Sequence, residues 1–386
     1  MKFKPSNAIG CHGHVYSRGH AIVLSLLLLL LGAAPAENKP TGFQGLGPLL
    51  GQAPSIPPPP YKLKWTYKTD EAERVAIVGN PTIADGVVYL ADSKGILHAV
   101  DLHSGKFKWK YPTENGFETT PLVAGNRILL GDLAGTFHCI STEGKKIWTI
   151  DTQSPIHSSA NFIDNKVIFG TDGAEIYCLN IADGSQAWIG KSGDRVNSAP
   201  AIADGKAFVS GCDSQLRAID IKTGNEIFAA ELPALAPGSP ACLSDRLIIG
   251  TDRGRVVAIS ADGKKTLWTY EKIEGDALVQ STPAVADNIA VIGAHDRNVH
   301  AIDANTGEQK WTFKTRGDVD APPIISDGRV YVGSRDKHFY VLDLKTGKML
   351  WDFTAARAIE GGAAISNNLL LLPDSAGNLY CFEPEK

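Results

Sequence analysis

Methionine occurs twice in this 386-residue chain and cysteine six times, with no adjacent cysteines and no C-x-x-C pair. That excludes a zinc ribbon and a dense disulfide framework. Positive charge is not in excess either, 38 Lys and Arg standing against 42 Asp and Glu, so nucleic acid is not an expected partner. Long apolar runs are missing beyond the first forty residues, and a mean hydropathy of −0.08 rules out a multi-span membrane protein. A 43% hydrophobic share rules out disorder. What the chain has in quantity is glycine (39) and proline (22), a balance that favours many tight turns and β structure over long helices.

Residues 1–36 contain no acidic side chain. Lys2, Lys4 and Arg18 precede an apolar run over 21–31, and Ala34-Pro35-Ala36 fits the small-residue pattern of signal peptidase, predicting cleavage after Ala36 and a periplasmic or secreted protein. An uncleaved anchor is the alternative. Lipid attachment needs a cysteine just after the run, whereas Cys11 lies before it. Cleavage leaves 35 basic against 42 acidic residues and five cysteines, Cys139, Cys178, Cys212, Cys242 and Cys381. Residues 37–60, with seven prolines and four glycines, read as an exposed linker.

The rest is organised by a repeat. Trp65, Trp109, Trp148, Trp188, Phe228, Trp268, Trp311 and Trp351 stand 39 to 44 residues apart and include every tryptophan. A glycine precedes most of them by four residues, as at Gly105, Gly144, Gly184, Gly224, Gly307 and Gly347, with Gly263 five before Trp268. Asp85-Gly86, Asp204-Gly205, Asp287-Asn288 and their equivalents supply two-residue hairpin turns, and Asp92-Ser93-Lys94-Gly95 supplies a third loop. Three turns in forty residues make four strands. Prolines 81, 121, 200, 240, 283 and 323 mark the first strand of most units as an edge, which would line a central channel.

Seven units are complete from about Val75, and the eighth stops after Phe382. Its missing outer strand is supplied by 61–66. The fold expected is therefore all-β, an eight-bladed propeller over 61–386 made of four-stranded antiparallel blades, closed by the N-terminal strand as a single ring.

Repeat position also assigns residues. Ala99, Cys139, Cys178, Ala218, Ala258, Ala301, Val341 and Cys381 align, so three cysteines are small core residues. His98, His138 and His300 align with Tyr177, Arg217, Tyr340 and Tyr380, a series with no common ligand chemistry. No metal site is expected there.

The segments 99–109, 301–311 and 341–351 resemble the A-x-D-x-x-T-G-x-x-x-W docking repeat of quinoprotein-type (PQQ-like) propellers, and the resemblance runs through every blade. It implies that Ala, Gly and Trp pack against the neighbouring blade, with Phe228 making a weaker contact. That family divides between quinone-dependent dehydrogenases and non-enzymatic members of the BamB outer-membrane assembly type. The enzymes hold a quinone between a tryptophan floor and a disulfide of adjacent cysteines, with calcium on carboxylate and amide groups. Here adjacent cysteines are absent and all tryptophans are docking residues, so no cofactor is expected. Glu118, Asp276, Asp318, Asp320 and Glu360 near the channel mouth keep a calcium- and PQQ-dependent alcohol or sugar dehydrogenase as the alternative.

The resulting expectation is a scaffold for envelope or outer-membrane proteins, with cell-surface polysaccharide binding as a further alternative. Asp318 and Asp320, two apart on an entering strand, resemble the Asp-x-Asp loop of the BamB-type partner face. Arg253, Arg255, Arg297 and Arg335 give blades 5 to 7 a basic sector, against Asp92, Asp132 and Asp172 in blades 1 to 4. Leu232-Pro233-Ala234-Leu235 echoes that family's Leu-rich loop but lacks its Arg.

Overall fold

The computed structural model describes residues 39–70 and 75–385. The expected cleavage site and the leader lie outside the described residues. Among these residues the chain forms eight four-stranded antiparallel sheets, seven of them in simple sequence order. Blades 1 to 7 span 82–112, 122–151, 161–191, 201–231, 241–270, 284–314 and 324–354. Blade 8 takes three strands from the C-terminus, Ala364–Ser366, Leu369–Pro373 and Asn378–Pro384, and its outer strand Tyr61–Lys68 from the N-terminus. The closure expected from the repeat is present.

The turns follow from residue chemistry. Asp85 and Gly86, Asp164 and Asn165, Asp204 and Gly205, Asp287 and Asn288, and Asn367 and Asn368 all have positive φ, the geometry of primed hairpin turns that matches strand twist. The six prolines each stand one residue before an inner strand rather than within it, at Pro81 before Thr82–Ala84 and Pro323 before Ile324–Ser326, while Ala160 and Ala363 hold that place in blades 3 and 8. Proline thus removes a donor before the ladder begins.

Adjacent blades are joined by aromatic docking. Gly105 has φ 69°, and a Cβ there would lie 2.6 Å from the Trp65 indole; Gly144, Gly184, Gly224, Gly307 and Gly347 meet Trp109, Trp148, Trp188, Trp268 and Trp311 in the same way. The glycine is needed for both its backbone conformation and the space it leaves. Each of these six indoles also donates Nε1–H to a carbonyl of the glycine's turn, from Trp188 to Ile221 at 2.7 Å and from Trp311 to Leu344 at 2.8 Å. Within its own blade each docking aromatic lies opposite the aligned small residue, as Trp109 opposite Ala99 and Trp65 opposite Cys381. Cys139, Cys178 and Cys381 are fully buried there and free, and burial pushes their thiols up, to about 11, 11 and 12. Trp351 has no such glycine to meet, because the chain break of blade 8 falls there. It packs edge-on against Tyr61 instead, with centroids 5.3 Å apart.

Residues 39–60 are not the exposed linker expected from composition. Leu46, Leu49 and Ile56 are buried, and the segment runs as a strap along the inner strands in ring order. Thr41 exchanges backbone hydrogen bonds with Val123 of blade 2, and the amides of Ile202, Cys242, Val285 and Ile325 in blades 4 to 7 donate to the carbonyls of Gly47, Pro48, Leu50 and Gly51 at 2.7–2.8 Å. In blade 3 the Asn161 carboxamide both donates to and accepts from Gly47. The physical reason is that eight inner edges present unpaired amides to the channel, and buried backbone groups must be satisfied. Positive φ at Gln44, Gly45, Leu46, Gly47, Leu49 and Gly51 gives the strap its curl.

Phe228 docks on Gly263 without an N–H to donate. Phe228→Trp is therefore expected to raise unfolding free energy by about 1 kcal/mol, and Trp188→Phe to lower it by about the same, in chemical denaturation; equal stabilities would show that the indole hydrogen bond contributes nothing to docking.

Candidate functional site

The residues that enter the inner strands converge on one end of the channel. Four positions before the strand, equivalent in every blade, stand Val78, Glu118, His157, Asn197, Pro237, Gln280, Asp320 and Glu360, and all line a cavity of about 330 Å³. Phe43 of the strap also lines it, so the mouth opens above the strap. Two residues further along, side-chain oxygens link the blades: the Asn80 amide donates to Thr120 Oγ1 and the Thr120 amide to Ser159 Oγ, both at 3.0 Å, and the Gly362 amide donates to Asn80 Oδ1 at 2.7 Å. This belt fixes the spacing of the mouth residues.

The charged part of the mouth is concentrated in blades 6 to 8. The Asp320 side chain is 5% exposed and ion-paired with both His295 and Arg335. It also accepts from Gln280 Nε2 at 2.9 Å. Arg335 continues to Glu360, 3.3 Å away, and its side chain stays 43% exposed. Asp318 lies on the other side of His295, at 4.0 Å and 33% exposed. A second group in blades 2 and 3 places His157 between Asp172 (3.0 Å) and Glu118 (3.6 Å). Every carboxylate of the mouth thus faces a cation or imidazole, an arrangement suited to recognising a polar, charged partner group through Arg335 and Asp318.

Of the residues expected to bind a partner, Asp318, Asp320 and Arg335 come together. Arg253 and Arg297 stand exposed on turns, and Arg255 pairs with Glu271 at 2.9 Å on the surface. The expected contrast of a basic sector against an acidic one is corrected. Asp92 and Asp132 are 1% and 2% exposed, each accepting two turn amides and a histidine Nε2, so their charge is spent inside the blade. For Asp132, burial pushes the carboxyl up, but His138 and the turn amides of Thr136 and Ala134 together hold it below the usual range. Asp276 lies in an exposed 3₁₀ turn, Glu274–Asp276, and does not line the mouth. Of the Leu-rich echo Pro233 and Leu235 are exposed, while Leu232 and Ala234 are buried.

Sequence reasoning missed His157 and Gln280, and did not join His295 to Asp318 and Asp320. The signal was the register itself. Turn hydrogen bonds from Asp92, Thr171, Ala294 and Ser334 to the residue four later show that these are equivalent, which aligns Asp172, His295 and Arg335 with one another and one residue beyond Asp92. The side chains at that position reach the mouth in blades 3, 6 and 7.

Eight four-stranded blades docked by indole on glycine and closed by the first strand define a quinoprotein-type, PQQ-like repeat propeller. Within that class, the profile of the outer membrane protein assembly factor BamB family matches residues 62–156, 134–276 and 265–386, and the chain belongs to that family. The outer membrane protein assembly factor BamB of Salmonella typhimurium strain LT2 is 24% identical over 245 residues, 60% of this chain and 55% of that protein. The chain spans about half the length of the curated relatives it matches first. The crystal structure of BamB from Moraxella catarrhalis superposes with a TM-score of 0.67 at 18% identity, covering 84% of this chain and 98% of that one. The quinohemoprotein alcohol dehydrogenase of Comamonas testosteroni is 28% identical over 172 residues, 38% of this chain and 24% of that protein. Its structure superposes with a TM-score of 0.75 at 12% identity, covering 92% of this chain and 83% of that one.

Asp320 is the buried centre of the mouth, and the two ends of its ion pair differ in exposure. Asp320→Ala leaves His295, Arg335 and Gln280 without their shared acceptor and is expected to cost about 2–3 kcal/mol. Arg335→Ala leaves His295 and Gln280 on Oδ1 but takes the only cation from the buried Oδ2, and should cost about 1–2 kcal/mol, less than the loss of Asp320 itself. Urea denaturation of both variants checks this; equal losses would contradict the assignment of Asp320 as the centre.

Proposed function

We propose that the chain is a non-enzymatic scaffold of the cell envelope that acts in outer-membrane protein assembly, binding a partner protein on the mouth face through Asp318 and Arg335. The observation that carries this reading is the paired cluster around Asp320, which holds an exposed guanidinium and an exposed carboxylate at fixed positions on one rim. Family membership supports the assembly role. Among the described residues no helix is long and apolar enough to cross a membrane, which agrees with a ring placed beside one.

The residues of the mouth do not fit a calcium-held quinone. A flat cofactor needs an aromatic floor, and six tryptophans are committed to glycines of the next blade while Trp351 packs on Tyr61. The five cysteines at 139, 178, 212, 242 and 381 are free, and none adjoins another in sequence. Asp320 and Glu360 share Arg335, so calcium at these two carboxylates would have to displace the guanidinium. We therefore expect no cofactor. Kinship with the quinohemoprotein alcohol dehydrogenase supports the opposite reading, and one experiment separates the two.

The tagged intact chain is used to capture proteins from solubilised envelope, and the purified protein is separately titrated with PQQ and calcium. Scaffolding predicts specific capture of outer-membrane assembly proteins that falls at least tenfold with Asp318→Ala/Arg335→Ala, and no dye-linked alcohol oxidation. Undiminished capture by the double variant would remove the site, and quinone-dependent oxidation would replace the scaffold reading altogether.

A further inference from the structure

The strap is an incomplete ring. In every blade the second residue of the inner strand turns its backbone amide and carbonyl toward the channel, and in blades 2 and 4 to 7 the strap takes up that amide. The strap begins beside Ile83 and Val123, where Thr41 sits, and leaves the inner edge at Ser326 of blade 7, whose hydroxyl donates to Pro54. Blade 8 is passed over. Neither the N–H nor the C=O of Ile365 has a partner among the described residues, and the N–H of Ile83 has none either.

A cavity of about 290 Å³ lies in that gap, walled by Ile83, Ile324, Ala364, Ile365 and Pro54. Gln44 also lines it. That side chain belongs to a residue only 4% exposed, it donates through Nε2 to Pro323, and its Oε1 is buried without a partner. The site therefore combines an apolar wall with two free amide donors and two free carbonyl-type acceptors. Of these groups Gln44 Oε1 is buried without a partner, and a buried polar group of this kind is costly unless a ligand pairs with it.

We propose that the gap between the two ends of the strap is a binding site for a short, extended and uncharged segment of a partner polypeptide, which pairs with Ile365 and Ile83 as a strand. The strap itself shows that this position accepts a passing chain, since in blades 2 and 4 to 7 the same inner-strand amide already donates to a strap carbonyl, and Thr41 and Gln52 form β-bridges with Val123 and Ile325 there. Main-chain pairing gives affinity and the alternate side chains give specificity in strand addition of this kind. Small apolar side chains match the Ile, Ala and Pro wall, and a charged one would be desolvated there without a partner. The volume, equal to about ten waters, suits a segment of two or three small residues. This site is independent of the mouth, because it rests on the strap and blade 8 and uses neither Asp318 nor Arg335.

The probe is the capped peptide acetyl-Ala-Val-Ala-amide, titrated into the intact chain and followed by calorimetry and by the amide resonances of Ile83 and Ile365. Strand pairing predicts saturable binding, slower solvent exchange at both amides, and roughly five-fold weaker binding of the analogue N-methylated at Val, the loss of one net hydrogen bond. Ala364→Phe, which fills the gap without touching the docking contacts, should abolish binding while leaving the melting temperature within a few degrees. Absence of saturable binding to the wild type, equal affinity of the N-methylated analogue, or undiminished binding to a folded Ala364→Phe variant would each overturn the proposal.

Discussion

The whole ring rests on one contact, an aromatic ring laid on a glycine of the next blade. A propeller blade is a sheet with two faces and cannot bury either alone, so its stability is a sum of neighbour contacts that must run all the way round. The indole supplies area, and its N–H ties it to a specific carbonyl, which sets the relative angle of two blades as well as their adhesion. The glycine is as necessary as the tryptophan, because positive φ and the absence of a Cβ are both required where the ring lies flat. At the junction of blades 7 and 8 this pairing cannot be made, since the turn that would carry the glycine is where the chain ends meet. Tyr61 fills the place, and its hydroxyl lies 2.9 Å from that of Tyr331 in a buried pair.

Docking at the circumference leaves a second problem at the centre, where eight inner edges face one another with unpaired amides. Three devices answer it: the proline before most inner strands, the belt of Asn, Thr and Ser oxygens between blades, and the strap. The mouth is built on the belt. Its charged residues are held in place by backbone regularities two residues away, which is why Asp320 can be buried with two hydrogen bonds on Oδ1 and an ion pair on Oδ2 while Arg335 and Asp318 remain at the surface.

The circumference was legible in the sequence and the centre was not. Docking residues recur every forty positions, so Trp65, Gly105 and the aligned Cys139, Cys178 and Cys381 could be placed by register alone, and the incomplete last unit pointed to 61–66 as its missing strand. The strap carries no such period. Its composition of proline and glycine is that of a loose linker, and what buries Leu46, Leu49 and Ile56 is the pairing of its backbone, to which a side-chain pattern is blind. The mouth was half legible. Asp318, Asp320, Glu118 and Glu360 were found as carboxylates near entering strands, but Asp92 and Asp132 were aligned one residue out of register with Asp172, which hid the position shared by His295 and Arg335. A single-residue slip in a turn exchanges a buried cap for a rim residue, and only the turn hydrogen bonds fix it.

Closure of the ring by the N-terminal strand is the point on which docking, strap and mouth all depend, and it is tested most directly by deleting Tyr61–Lys68 and recording thermal unfolding. Removal of the outer strand of blade 8 takes away Trp65 on Gly105 and Tyr61 on Trp351 together. The melting temperature should then fall by roughly ten degrees or more, since each lost kcal/mol lowers it by about two to four degrees in a large domain. A deletion variant that melts at the wild-type temperature would contradict the closed eight-bladed ring.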